Sequence, residues 1–183
     1  SFQQTAPSMG IVDGDDGLGH VVAHRACTHA MALAKESGSG IISACNSSHF
    51  GMTGYYIRRL VAEGYIGWMM TATDAFLIPF GSRKPFFGTN PIAIGFPTVG
   101  TATRHRSKGT GGVHRFPVIL DMATTSIPYG KIAIAQTEGQ MIPDHWGFDV
   151  DGNPTTDPHA IAGLHPIAGP KGSGLAMVID IFC

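Results

Sequence analysis

Apolar residues recur at three- and four-residue intervals over residues 19–37, where Val22, Ala26, Ala30 and Leu33 share a side with Ala23, Cys27 and Ala34. That spacing predicts an amphipathic helix, with Gly38 and Gly40 as its stop. Residues 53–63 repeat the pattern, with Tyr56, Ile57, Leu60 and Val61 inward, Arg58, Arg59 and Glu63 outward, and Gly64 at the end. Between the two helices, residues 40–45 (GIISAC) read as a short buried strand. Further strands are predicted at 65–71, 92–96 and 117–122, and a helix at 126–138 with Pro128 in its first turn. Residues 13–19 (DGDDGLG) read as an acidic, Gly-rich turn into the first helix, and 149–158 as a turn and loop. Strands alternating with helices at irregular spacing point to an α/β or α+β chain.

Composition narrows the picture. Of 183 residues, 25 are Gly, roughly twice average usage, and they sit at the ends of apolar runs, as tight turns and close backbone approaches require. Twelve Lys and Arg stand against 13 Asp and Glu, so no basic face for nucleic acid is expected. No apolar run approaches the ~18 residues of a membrane span. Cys27, Cys45 and Cys183 make an odd set with no CxxC pair, which points to a reducing, cytoplasmic setting. Residues 101–115 hold four of the 12 basic residues and no acid. They read as a solvated surface loop or, alternatively, a phosphate-contacting one.

The candidate chemistry is sparse. Neither GxGxxG nor GxxxxGK[ST] occurs. His20 and His24, four apart on the first predicted helix, are either surface histidines or two ligands of one metal. His49 lies in NSSHFG, a polar loop between strand and helix where an acid–base group can be held at a sheet edge. Asp121 ends an apolar strand, and its carboxylate either caps the following helix or bonds a ligand. Lys171 sits in a Gly-rich turn before the apolar segment 172–183, where backbone N–H groups and the ammonium can bind an anion. That segment stops without a polar exit, and the sequence is expected to be a piece of a longer protein.

Six segments, in order, resemble the malate/L-lactate dehydrogenase family that is unrelated to the Rossmann enzymes and also includes ureidoglycolate dehydrogenase, diketogulonate reductase and piperideine-carboxylate reductase. They are DGDDGLG at 13–19, NSSHFG at 46–51, GTNPIAIGFP at 88–97, VILDMATT at 118–125, DGNPTTDP at 151–158 and GPKGSGLAM at 169–177. The resemblance implies a non-Rossmann, α+β-like α/β fold in which a large, mostly antiparallel sheet is flanked by helices. It implies NAD or NADP as cofactor, a small 2-hydroxy or 2-oxo acid as substrate, and a homodimer. By the same resemblance His49 exchanges the substrate proton, Thr73 and Lys171 lie at the substrate, and Leu120, Asp121, Met122, Ala123, Pro170 and Lys171 line the cofactor.

Three departures accompany the match. A Ser-His-Gly helical segment, whose histidine competes for the acid–base role, has no counterpart in this sequence. Family members continue past the position of Cys183. The basic stretch 101–115 lengthens a loop that is usually short. Residues 1–183 therefore read as the central portion of a single NAD(P)-binding domain whose N- and C-terminal parts are missing. The rival expectation is a non-catalytic binding or structural remnant of that fold.

Overall fold

The computed structural model describes residues 1–98 and 116–183; the basic stretch 101–115 lies outside the described residues. These fold as two compact units, Ser1–Met69 with Ala93–Asp121, and Met70–Ile92 with Met122–Cys183.

In the first unit, β1 (Phe2–Ala6) pairs antiparallel with β2 (Met9–Gly17), and β2 pairs parallel with β3 (Ile41–Ser47). A parallel pair needs a crossover, and α1 (Gly19–Ser37) supplies it. The helix packs on β2 and β3, burying Val22 and Ala26 against Val12, with Phe2 and Ile42 alongside. Gly38, left-handed at φ 81°, closes the helix by donating its N–H to the Ala34 carbonyl at 2.9 Å.

Two expectations change here. Residues 13–19 are not a simple turn, because β2 runs on to Gly17 through an irregular stretch in which Asp15 and Asp16 both have φ 52° and the register slips. Asp13 organises that stretch. Its carboxylate accepts the Asp15 N–H at 3.0 Å and the Asn46 side-chain amide at 3.1 Å, and these bonds hold it below the ordinary carboxylate range. Strand β3, expected to be buried, is instead mostly exposed, with Ile41 57% exposed. It is an outer strand in the order β1-β2-β3, and only Ile42 turns toward the cluster under α1.

Helix α2 (Thr53–Ala62) buries the four residues its pattern assigns inward, Tyr56, Ile57, Leu60 and Val61, against Ala23 and Cys27 of α1 and Ala93. Arg59, expected to face out, lies across α1 and donates to the His24 carbonyl and Thr28 Oγ1, both at 2.8 Å. The strands β4 (Gly67–Met70), β5 (Ile92–Phe96) and β6 (Val118–Met122) form a second three-stranded sheet in that order. The mixed α/β class matches the expectation, with the strands of the described residues distributed over two three-stranded sheets and one two-stranded sheet.

The second unit is built on Ile127, Ile132, Ala135, Ile142 and Leu164. Helix α3 (Tyr129–Glu138) begins later than predicted. Pro128 is its extended N-cap (ψ 144°), and the Ser126 N–H goes to the His165 carbonyl at 2.8 Å instead of into a helix. Residues 149–158 form the expected loop, in which Asp149 Oδ1 accepts the N–H groups of Asp151 and Asn153 at 3.0 and 2.9 Å. Short strands β7 (Gly147–Phe148) and β8 (Gly163–Leu164) pair antiparallel. Ala168 (φ 50°) and Gly169 (φ 60°) then turn the chain into α4 (Pro170–Phe182). No helix among the described residues is long and apolar enough to cross a membrane.

Candidate functional site

His49 lies on the loop joining β3 to α2, and its side chain is exposed. Its Nδ1 accepts the Gly51 N–H at 3.2 Å, which leaves the proton of the neutral ring on Nε2. The loop is held from both ends. Ser48 Oγ accepts the Gly19 N–H at 3.0 Å and donates to the Gly17 carbonyl at 3.2 Å. On the other side the buried Tyr56 donates its hydroxyl to the Phe50 carbonyl at 2.6 Å. Burial pushes the Tyr56 phenol up, so it stays a neutral donor. A polar loop on a rigid scaffold thus presents one imidazole to solvent.

Asp121 belongs to the same unit but does not cap the helix that follows it. Its Oδ2 accepts the Gly54 N–H at 2.8 Å, satisfying one of the orphan donors at the start of α2, whose own N-cap, Met52, offers no side-chain bond. The approach is close: a Cβ on Gly54 would strike Asp121 Oδ2 and stand 3.0 Å from its Cγ. This long-range cap fixes the end of β6 against the helix that follows the His49 loop. Leu120, one residue earlier, is 47% exposed, while Ile119 turns inward to the buried cluster. The strand therefore offers an open apolar face.

In the second unit, Thr73 is exposed, Met122 and Ala123 are half-buried, and Pro170 and Lys171 are exposed. The Gly-rich turn expected around Lys171 is shorter than the sequence implies, because α4 starts at Pro170 and Lys171 stands inside its first turn. No side chain caps this helix. Unpartnered first-turn N–H groups, the positive end of the helix dipole and the Lys171 ammonium make a donor set that fits an anion such as a cofactor phosphate or a substrate carboxylate. The structure thus groups His49, Leu120 and Asp121 in one unit and Thr73, Met122, Ala123, Pro170 and Lys171 in the other. His20 and His24 are exposed on α1, and no group of three His, Cys, Asp or Glu that could hold a metal occurs among the described residues.

Sequence reasoning missed the partners of these residues. Asn90 accepts the Thr73 N–H, Thr89 donates its N–H to the Thr73 hydroxyl, and Thr124 in turn donates to the Thr89 carbonyl. Their only signals were the TNP within 88–97 and the ATT at the end of 118–125, which have no role by spacing alone.

Known proteins share this mixed α/β fold. The chain belongs to the malate/L-lactate dehydrogenase family, whose model it matches over residues 1–183. It is 34% identical over 180 residues to ureidoglycolate dehydrogenase (NAD(+)) of Escherichia coli K12, which covers 98% of this chain and 48% of that protein. It is 40% identical over 178 residues to L-sulfolactate dehydrogenase of Methanocaldococcus jannaschii, covering 96% and 47%. A dehydrogenase structure from Sinorhizobium meliloti superimposes with a TM-score of 0.88 at 35% identity, over 100% of this chain and 50% of that one. The chain spans about half the length of the curated relatives it matches.

Proposed function

We propose that the protein containing this chain transfers hydride between NAD or NADP and a small 2-hydroxy or 2-oxo acid, as a cytoplasmic homodimer with no membrane or nucleic-acid partner. The observation that carries the reading is His49: an exposed imidazole with one nitrogen held by Gly51 and the other open, on a loop pinned by Ser48 and Tyr56. When bound, the nicotinamide accepts or gives the hydride at C2 of the acid. The hydroxyl proton must then go to a base, or come from an acid in the reverse direction. An imidazole serves both directions near neutral pH.

The Gly51 bond sets the sequence of events at His49. With Nδ1 accepting that N–H, the neutral ring carries its proton on Nε2. Accepting the substrate proton at Nε2 then requires the ring to release Gly51 and hold its own proton on Nδ1. Acceptance at Nδ1 requires only the release. At 3.2 Å across two residues the bond is long enough to give way. Thr73 and Lys171 orient the acid, Lys171 by a charge-assisted bond to its carboxylate. Leu120, Asp121, Met122, Ala123, Pro170 and Lys171 line the cofactor, Leu120 through its open apolar face and Lys171, as the alternative to its carboxylate bond, through a phosphate.

The test is titration of the full-length protein with NADH and NADPH by nicotinamide fluorescence, with turnover of 2-oxo acids in parallel. His49→Ala is expected to keep cofactor binding and lose turnover by roughly 10²- to 10⁴-fold. Undiminished turnover in His49→Ala would remove the proton-exchange role.

A further inference from the structure

Asn90 is fully buried, and its backbone lies in the left-handed region at φ 28°. Its amide spans two elements of the second unit. Oδ1 accepts the Thr73 N–H at 3.1 Å, while Nδ2 donates to the Ala176 carbonyl at 2.9 Å and to Asp180 Oδ1 at 3.0 Å. The oxygen side meets a donor and the nitrogen side meets two acceptors, so only one orientation of the amide satisfies all three. Ala176 and Asp180 lie within α4, and Asn90 therefore grips that helix from its middle to its last turn. The adjacent residue extends the network. Thr89 donates its N–H to Thr73 Oγ1 at 2.9 Å, and its carbonyl accepts both the N–H and the hydroxyl of Thr124, at 2.9 and 3.0 Å. Residues 89 and 90 are thus the common support of Thr73, of the segment after β6, and of α4.

We propose that Asn90 is a positioning residue that holds Thr73 against α4 and so sets the substrate-side threonine relative to Lys171. This rests on the hydride-transfer reading above. Helix α4 has anchors of its own: Ala176 packs with Leu77 and Phe87, and Ser173 Oγ accepts the Phe80 N–H at 2.8 Å. Loss of the Asn90 amide therefore displaces Thr73 and leaves the helix, with its anion-binding first turn, in place. Recognition of the acid weakens while cofactor affinity holds. A purely structural role would degrade both together.

Asn90→Asp separates the two. It keeps an oxygen for the Thr73 N–H, removes both donors to α4, and sets a carboxylate against Asp180. The double variant Asn90→Asp/Asp180→Asn restores a donor–acceptor pair between positions 90 and 180. In the full-length protein, with pyruvate and oxaloacetate as 2-oxo acids, Asn90→Asp is expected to raise KM about tenfold. The cofactor Kd is expected to change by less than about twofold, and the double variant to recover much of the KM. Equal losses in KM and cofactor Kd, or a double variant no better than the single one, would overturn the proposal. Exchange of the Thr73 amide hydrogen reads the linkage without turnover, and Asn90→Ala should speed it. Unchanged Thr73 exchange would overturn the linkage itself, whereas a wild-type protein that reduces no 2-oxo acid would refute the functional reading alone.

Discussion

Replacing Tyr56 with Phe tests whether the His49 loop is held the way its hydrogen bonds imply. The substitution removes one oxygen and keeps the ring, so the edge-to-face packing on Phe50 (centroids 5.7 Å apart) and Tyr55 (5.2 Å) survives. What goes is a single 2.6 Å bond from a side chain only 1% exposed to the Phe50 carbonyl. A typical hydrogen bond contributes about 1 kcal/mol net, and an acceptor left partly buried without a partner costs about 1–3 kcal/mol. Phe50 is half-buried, so the expected loss is about 1–2 kcal/mol. For a chain of this size that lowers Tm by roughly 2–8 °C. Denaturant unfolding gives the stability, and amide exchange at residues 49–51 reports whether the loop loosens locally. Turnover should fall while cofactor affinity persists, because the loop carries the proposed proton-exchange group and not the proposed anion site. An unchanged unfolding midpoint, or a fall in stability without faster exchange at 49–51, would refute the claim that Tyr56 pins this loop.

Other consequences are as direct. Gly54→Ala forces the Asp121 carboxylate away from the α2 N-terminus and should cost about 2–3 kcal/mol; Gly54→Ala/Asp121→Ala should cost less than the sum of the two single changes, as measured by urea unfolding. Lys171→Ala should weaken cofactor or 2-oxo acid binding by about tenfold or more, and unchanged affinity for both in a fluorescence titration would sink that assignment. Burial lowers the pKa of His165, which stacks on Phe148 and whose Nε2 is buried without a hydrogen-bond partner, helped by His145 and opposed by Asp144. The unfolded chain then takes up this proton first, so stability is whole above about pH 6.5, falls as pH drops below it, and levels off once the folded protein is also protonated. His165→Phe should flatten that part of the pH–Tm curve.

Helices α1 and α2 were legible because each buries a stripe whose spacing is written in its own residues. Tyr56, Ile57, Leu60 and Val61 need no distant information to be assigned inward. Strands β1 and β2 were not, since FQQTA carries little apolar signal and the acidic run of β2 masks a strand that continues through left-handed residues. The burial of β3 was misread because a short apolar run looks alike at the centre and at the edge of a sheet. His49, Asp121 and Lys171 stood out as candidates from local context together with family resemblance. The bonding partners of Asp121 and Asn90 were opaque for a different reason: they lie at Gly54, Ala176 and Asp180, 67 to 90 residues away. Only the folded topology brings those groups within bonding distance.

The turn before α4 bears on how tightly the anion proposed at Lys171 would be held. Ala168, a residue with a Cβ, occupies the left-handed region immediately before a left-handed Gly169 and a ring-locked Pro170. Such a backbone is unfavourable by about 1 kcal/mol or more at Ala168, and that cost falls on folding, not on ligand capture. A ligand at the proposed Lys171 site would meet a turn whose conformational entropy has already been removed, so less of its interaction energy would be spent on ordering the protein. Ala168→Gly would relieve the strain and at the same time widen the unfolded ensemble, two effects of similar size and opposite sign. The outcome is a variant of nearly unchanged stability with a softer turn, in which binding entropy becomes less favourable while the contacts stay the same.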